Sequence, residues 1–395
     1  VSAWTLPLAY NLPFTTVGKL PRSADSPAAS TGVAPNRQAL AWAVPWEQIE
    51  SARVLQELLE SGARVRAATD SFSAQSRGGL RAFSAGTLLL QAGVQPEGTL
   101  DNSLDILSQA ALNGLQVFDL NSGLTPAGPD LGSRYFKILK PVRPLIIAGQ
   151  GASAYDVGEQ WHLLDHRLGV AATVIDMDRL SKANLGDYTH LLMADGDYDS
   201  LGSTRQAEIV RWVREGGVLL AVNRAASWAE ELCFASGESA CEKENSDGND
   251  PAEPAPRAYA DFADDKAQHV IGGAIVKSVL DLTHPLAFGY RRPELPLFRR
   301  GTTELQPSNN AYSTPVHYHS DPLMAGFIGS ERLDAIRGAP AVIAEKQGRG
   351  LVVRFANTPL FRAFWRGTER LFVNALYFSQ LIDSTAVSYT HLRAH

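Results

Sequence analysis

The chain has 395 residues, of which 45% are hydrophobic and 20% charged, so it can bury the cores of two or three domains and is too apolar for global disorder. Its formal net charge is −6, and no dense stripe of Lys and Arg with interleaved aromatics occurs, which argues against a nucleic-acid partner. No apolar run approaches the roughly 18 residues of a membrane span, so none is expected.

Both ends of the chain read differently from the part between them. Residues 1–37 are rich in Pro, Ser, Thr and Ala, and the chain begins with Val1 rather than Met. We therefore expect residues 1–37 to be the tail of an upstream domain followed by a linker. Residues 383–395 follow a helix end and carry no pattern that fits a domain, so we expect a non-native tail.

Residues 38–140 alternate between short apolar runs and helical periodicity, which predicts a small α/β domain. The predicted strands are 38–44, 63–68, 86–91 and 115–120. The predicted helices are 46–59, ended by Gly62, and 103–113.

Residues 141–382 predict a second domain whose strands and helices alternate as in a flavodoxin-like, doubly wound parallel sheet. The predicted strands are 144–148, 171–177, 190–194, 218–222, 274–280, 341–345 and 351–355. Helices are predicted from Ser153, where Ser153 and Asp156 outline a capping box, at 205–215, and at 361–381. An apolar stripe on the first of these helices is formed by Val157, Trp161, Leu164 and Leu168.

An acidic segment that contains several prolines interrupts this second domain at residues 236–256. Between residues 238 and 265 the sequence carries nine acidic and two basic side chains. Too few apolar residues are present to bury a core, so a surface loop is expected. The two cysteines, Cys233 and Cys241, flank its start, and they can either join as a disulfide in an oxidising compartment or remain two thiols.

The turn where an amidotransferase of this fold carries its nucleophile reads Asn223-Arg224-Ala225-Ala226. A class I glutamine amidotransferase needs a Cys there, on the sharp turn after a central strand, close to the backbone N–H donors of an oxyanion hole. Cys233 lies about two helical turns further on. Neighbouring acidic residues would raise its pKa, so a structural role is favoured over a nucleophilic one. No catalytic residue is expected.

Ligand-facing groups are expected at the carboxyl ends of the parallel strands, where open α/β sheets bind ligands. The candidates for ligand contact are Gly151, Glu159, Asp195, Asp197 and Arg224. The aspartates can instead cap their own loop and the next helix. Gly149-x-Gly151-x-x-Ala154, followed by Asp176, has the outline of a dinucleotide fingerprint, but a tight strand-to-helix turn explains the same glycines and is favoured.

Two histidine pairs have the spacing of possible metal ligands. His162 and His166 are four residues apart on one predicted helix, beside Asp165, and His317 and His319 alternate along an extended segment before Asp321. A solvated helix flank and an exposed segment explain them more simply. His-x-x-Glu does not occur in the sequence, and no metal site is expected in this chain.

Several short sequence segments, taken in order, resemble segments of one protein family over residues 1–382. These segments are 1–9, 122–125 with 129–133, 155–165, 361–368 and 370–376. They are similar to the non-catalytic C-terminal region of secreted or periplasmic zinc carboxypeptidases of the carboxypeptidase A-like family. Residues 141–382 resemble a class I glutamine amidotransferase-like domain that lacks its nucleophile.

The resemblance implies a parent protein whose upstream domain holds zinc through His-x-x-Glu and a later His, with a Glu as general base for the zinc-bound water. None of those residues can be assigned here, so zinc belongs to the parent and no cofactor is implied for this chain. The expected partners are the upstream catalytic domain of the same polypeptide and its peptide substrate, in a secreted or periplasmic setting. The implied role is binding or docking.

Two other functions remain open from the sequence. One is an independent amidotransferase-like or nucleotide-binding α/β enzyme, and the other is a plain carbohydrate- or peptide-binding module. A docking surface could include Phe361, Arg362, Trp365 and Arg366, although inward packing of the aromatics at 361, 364, 365 and 372 explains them more simply.

Overall fold

The computed structural model describes residues 5–15, 17–19, 32–232, 234 and 257–383. Cys233, Cys241, the acidic segment 236–256 and the expected tail from residue 384 onward lie outside these ranges. The expectations for them stay predictions.

The first sheet is built by the sequence up to residue 138 and contains only antiparallel strand pairs. Its order is β4-β3-β6-β1-β5-β2-β7. The strands are β1 (Ala41–Val44), β2 (Val65–Ala68), β3 (Phe72–Ser76), β4 (Gly79–Phe83), β5 (Leu88–Gln91), β6 (Phe118–Leu120) and β7 (Phe136–Ile138). The helices of this part are α1 (Leu6–Ala9), α2 (Glu50–Glu60) and α3 (Thr99–Leu112).

The hairpin β3–β4 and the edge strand β7 were not predicted. In β3 the side chains of Phe72, Ala74 and Ser76 are buried while those between them are not, which is the two-residue alternation of a strand with one covered face. The pattern was therefore present in the sequence, but it was too short and too polar to stand out.

The second sheet has nine strands in the order β13-β12-β14-β15-β16-β11-β10-β8-β9. They are β8 (Pro144–Ala148), β9 (Thr173–Asp176), β10 (His190–Met193), β11 (Val218–Val222), β12 (Ala274–Leu280), β13 (Glu294–Arg299), β14 (Val316–Gly326), β15 (Pro340–Gln347) and β16 (Gly350–Phe355). The run β16-β11-β10-β8-β9 is parallel. The α/β class is thereby confirmed.

The other half of this sheet departs from the predicted parallel arrangement. Strands β13, β12, β14, β15 and β16 pair antiparallel with one another. Strands β15 and β16 are joined by the tight turn at residues 348–349, and such a short connection can only reverse the chain.

Helices cover both faces of the second sheet. They are α4 (Ala154–Trp161), α5 (Ser203–Arg214), α6 (Arg224–Glu230), α7 (Phe262–His269), α8 (Ser330–Ile336) and α9 (Arg366–Tyr377). Ile209 and Val213 of α5 join one buried cluster with Leu191 and Leu219. Leu164, just after α4, joins a different cluster together with Leu192 and Leu220. These two strand residues are next to Leu191 and Leu219 in sequence and therefore point to the opposite face of the sheet, so Leu164 lies on that opposite face.

The helix that begins after Ser153 differs from its prediction in three respects. After α4 the chain continues as a π-helix over His162–Leu168, which changes the angular spacing of the side chains. Trp161, expected on the buried stripe, is 48% exposed, while Leu163 is buried. The capping box is also absent, since the Ser153 hydroxyl donates to the Asp156 carboxylate and caps no backbone N–H.

The predicted last helix is broken near its start. Arg362 and Ala363 have positive φ angles of 50° and 49°, so the regular helix α9 begins only at Arg366. The aromatic side chains do pack inward as expected: Phe361, Trp365 and Phe372 are buried and Phe364 is partly buried. Leu8 and Ala9 of the N-terminal segment pack in the same cluster as Phe361 and Trp365.

Helix α9 also links the two sheets. The Trp46 indole N–H donates to Asn374 Oδ1 at 2.7 Å, and the Tyr377 hydroxyl donates to Gln56 Oε1 at 2.9 Å. All four side chains are buried, and one hydrophobic cluster runs from α2 to α9. No helix in the described part of the chain is long and apolar enough to cross a bilayer.

Candidate site at the carboxyl edge of the parallel strands

Asn223 occupies the sharp turn between β11 and α6 with φ 52° and ψ −119°. Such a strained strand-to-helix turn is the backbone geometry that exposes the nucleophile in α/β enzymes of the elbow type. The Asn223 backbone N–H donates to Phe355 O at 2.8 Å, and its Nδ2 donates to Thr358 Oγ1 at 3.0 Å. A neutral carboxamide in this position holds the turn but cannot serve as the nucleophile.

Arg224, the next residue, pairs with Asp195 across the ends of β10 and β11. Its Nε lies 2.9 Å from Asp195 Oδ1, and its backbone N–H donates to the same oxygen at 3.3 Å. The Arg224 side chain is 60% exposed and that of Asp195 only 18%. Two of the candidate ligand-binding residues are therefore brought together, with a guanidinium facing solvent above a mostly covered carboxylate.

The glycine turn after β8 packs directly against the Asp195–Asp197 loop. Gly151 has φ +97°, and a Cβ there would lie 2.5 Å from Asp197 O. The Asp197 N–H donates to Gly151 O at 3.0 Å, and the Ser153 N–H donates to Asp195 O at 2.7 Å. These contacts account for the glycine as part of a tight turn.

The same contacts bear on the dinucleotide interpretation. A phosphate-binding turn must present free backbone N–H groups, whereas those of Ala152 and Ser153 donate to protein carbonyls. Next to Gly149, the Asp176 carboxylate lies within 2.9 Å of where a Cβ would stand. Asp197 Oδ1 accepts the Asp199 N–H at 3.0 Å, as in the loop-capping role considered for it.

Glu159 is a buried carboxyl group on α4. Its Oε1 accepts the backbone N–H of Arg362 at 2.6 Å, in the turn where Arg362 has its positive φ. Burial raises the pKa of Glu159 to about 8, against the lowering effect of that hydrogen bond. Around neutral pH the group is therefore largely protonated.

Asp156, one turn before Glu159, is also buried, but its negative charge is compensated by an arginine. Arg300 Nη2 lies 2.9 Å from Asp156 Oδ1 and 2.8 Å from Oδ2, and Ser153 donates to the same carboxylate. Ser153 thus links this ion pair to Asp195 through its backbone N–H. The polar groups form one continuous strip along the edge of the sheet, from Arg224 to Arg300.

Tyr198 lies beneath the strip, and the carboxylates of the strip affect its pKa. Its hydroxyl donates to Ala194 O at 3.0 Å. Burial raises the pKa of Tyr198, and the negative charges of Asp195 and Asp156 raise it further.

Arg300 and Asn223 were not among the candidate site residues. Arg300 follows β13, a strand the sequence did not predict, and is 144 residues from its partner Asp156. Asn223 was noted only as the residue replacing a nucleophile. Its signal was its place directly after the buried strand β11, since Asn tolerates left-handed backbone better than most residues.

In the described part of the chain, neither histidine pair belongs to a group of three potential metal ligands. The rings of His162 and His166 are 5.0 Å apart, and burial, then the charges of His166, Arg366 and Arg167, lower the pKa of His162. The Asp321 N–H donates to His319 Nδ1 at 3.0 Å in a local turn. Within the described ranges no three His, Cys, Asp or Glu side chains lie close enough to hold a metal ion.

Comparison with known proteins gave structural similarities of low score. No protein-family model matches the chain, and no curated protein matches it. A ThuA-like protein from Parabacteroides merdae aligns with TM-score 0.33 and 14% identity, covering 58% of this chain and 88% of that protein. A cytoplasmic protein of Salmonella typhimurium aligns with TM-score 0.33 and 12% identity over 60% and 98% of the two chains.

A β-galactosidase from Bacillus circulans aligns with TM-score 0.28 and 13% identity, over 59% of this chain and 30% of the enzyme. At such scores the alignments carry no argument about function. The α/β fold is established by the strand order and the helices on both faces of the second sheet.

Proposed function

We propose that this chain is a non-catalytic, amidotransferase-like binding region of a larger secreted or periplasmic zinc carboxypeptidase. The observation that carries the non-catalytic part is Asn223, whose backbone has the geometry of a nucleophile turn and whose side chain is a buried amide. The link to a carboxypeptidase rests on the sequence resemblance described above. Zinc and its ligands belong to the proposed parent.

The strip from Arg224 to Arg300 supports binding over turnover. Its two carboxylates, Asp195 and Asp156, are each paired with an arginine, so neither is an unpaired base. Arg224 is the exposed member, and a guanidinium can exchange an intramolecular carboxylate for one carried by a ligand or a partner domain. Such an exchange involves no covalent step, as expected for docking.

The competing enzyme hypothesis is less favoured by the geometry. A nucleotide would meet a glycine turn whose nearby N–H groups donate to the protein, and a glutaminase would need a thiol at the turn that carries Asn223. Cys233, the alternative thiol, lies outside the described residues.

The test begins with the coding DNA upstream of Val1. A signal peptide and a segment with His-x-x-Glu are expected; a start codon directly before Val1 would contradict the proposed parent. The intact parent would then be assayed with Arg224→Gln beside a matched control, Arg349→Gln, which removes an exposed arginine with no described side-chain partner at the turn after β15. A docking role predicts a changed KM or a loosened domain contact for Arg224→Gln alone.

Glutamine hydrolysis provides the opposing result. The isolated chain should release no ammonia from glutamine above a buffer control. Turnover that disappears in Cys233→Ala would establish the independent amidotransferase-like enzyme and overturn the proposal.

A further inference from the structure

A cleft of about 1020 Å³ opens where the N-terminal segment, the start of α2 and the start of α9 meet. Five arginines and three glutamates line it. The arginines are Arg167, Arg291, Arg292, Arg366 and Arg370. The excess of positive charge is local, because the whole chain has a formal net charge of −6.

Three of these arginines form ion pairs or hydrogen bonds with other residues of the protein. Arg167 and Arg366 both bind Glu369, at 2.8 and 2.7 Å. Arg370 is partly buried and donates to the backbone carbonyls of Trp46 and Glu47. Their role is to hold the walls of the cleft together.

The other two arginines keep donors free for a ligand. Arg292 uses only Nη2, which donates to the backbone and side-chain oxygens of Asn11 at 2.6 and 2.7 Å. Arg291 is exposed and has no hydrogen bond or ion pair with any residue that the structure describes. Two adjacent guanidiniums with unused N–H groups favour a carboxylate or a similar planar anion.

Apolar side chains face the same space. Tyr10 and Leu12 line the cleft and are 41% and 51% exposed, and Ile49 lies beside them. Burying such surface is favourable by roughly 25 cal/mol for each Å². The combination of free guanidiniums with exposed apolar walls matches a ligand that carries one anionic group on an apolar body.

We propose that this cleft binds organic carboxylates with an apolar side chain, with Arg291 as the principal anion contact and Arg292 beside it. The carboxylate can come from the free C-terminus of a peptide or from a small acid. Neither source requires the function proposed above, since the argument depends only on the cleft.

The test uses titration calorimetry on the full chain with paired probes. N-acetyl-Ala-Ala-Phe with a free carboxyl end and its C-terminal amide represent a peptide, and 3-phenylpropionate and 3-phenylpropionamide represent a small acid. Each acid is expected to bind at least about tenfold more tightly than its amide, which corresponds to about 1.4 kcal/mol. Tight binding of the peptide acid only assigns the cleft to peptide C-termini. Tight binding of 3-phenylpropionate, alone or together with the peptide acid, shows that a small acid is a sufficient ligand.

Arg291→Gln should weaken acid binding about tenfold and leave the weak amide affinity unchanged. The control Arg349→Gln makes the same charge change on an exposed side chain outside the cleft, and it should leave both affinities unaltered. Equal affinities for acids and amides, no saturation by any acid at about 10 mM, or equal losses in both variants would each overturn the proposal.

Discussion

The guanidinium of Arg300 contacts both carboxylate oxygens of Asp156, with Nη2 at 2.9 and 2.8 Å. Asp156 is buried on α4, whereas the Arg300 side chain is 33% exposed at the end of β13. The contact ties the parallel half of the second sheet, through its first helix, to the far antiparallel edge. It therefore stabilises both the relative placement of the two halves and the negative charge of the Asp156 carboxylate.

Arg300→Gln is expected to lower the free energy of unfolding by about 1–3 kcal/mol, because it leaves a buried carboxylate without its cation. The exposure of Arg300 keeps the loss below that of a fully buried pair. Urea unfolding followed by circular dichroism would measure it. Arg349→Gln, at an exposed site, should stay within about 0.5 kcal/mol of the parent chain, and a similar small change for Arg300→Gln would show that the ion pair contributes little.

Glu159 should make stability depend on pH in a defined direction. Its pKa is about 8 in the folded chain against an ordinary value of 4.5, so the folded state binds more protons than the unfolded state between those values. Stability therefore falls as pH rises through this window, and the full cost of the buried charge is present only above about pH 8.

Glu159→Gln removes that charge and keeps an oxygen to accept the Arg362 N–H. We expect little change at about pH 5 and a gain of about 2–4 kcal/mol at about pH 8.5, measured by urea unfolding at both values. Glu97→Gln, at an exposed position, is the matched control. Equal effects of Glu159→Gln at the two pH values would contradict a raised pKa.

The parallel half of the second sheet could be predicted because its strands are continuous apolar runs. Strands β8 and β11 have the predicted limits, since both are buried on two faces. Strand β13 contains Pro296, which is tolerated because β13 is an edge strand. Strand β14 contains Pro322 at an irregular, bulged part of its pairing with β12. Because proline is disfavoured inside strands, both segments have a weaker strand signal than the apolar runs of the parallel half.

The candidate site was predicted as far as neighbouring parallel strands define it. Asp195 and Arg224 follow β10 and β11, whose carboxyl ends meet at one edge, and the structure pairs them. Arg300 could not be placed, because its contact with Asp156 depends on the antiparallel half of the sheet. The burial that protonates Glu159 likewise comes from tertiary packing.

Asn223 allows backbone strain to be separated from side-chain bonding. Asn223→Ala keeps the unfavourable positive φ for a residue with a Cβ and removes the hydrogen bond to Thr358. Asn223→Gly loses the same bond but relieves the strain. We expect the free energy of unfolding of the alanine variant to be about 1 kcal/mol lower than that of the glycine variant. The difference would be measured from the two denaturant midpoints, provided that the m-values are equal. Equal stability would mean that the turn is unstrained.

Gly151 offers the sharpest test of the packing between the glycine turn and the Asp195–Asp197 loop. Gly151→Ala combines a positive φ with a Cβ 2.5 Å from Asp197 O, so the loop must move. Gly169, after the π-helix, also has a positive φ of +70° but nothing within 4 Å of its Cβ position. Gly169→Ala should therefore cost about 1 kcal/mol and Gly151→Ala at least about 2 kcal/mol.

The two variants should also differ in where they change the protein. Hydrogen exchange in Gly151→Ala should speed up at the Ser153 and Asp197 amides, whose acceptors lie across this contact, while Gly169→Ala leaves them protected. If Gly151→Ala costs no more than Gly169→Ala and those amides stay protected, the turn and the loop are not packed as described. A free glycine turn would then return the nucleotide interpretation to consideration, because its N–H groups would be open to a phosphate.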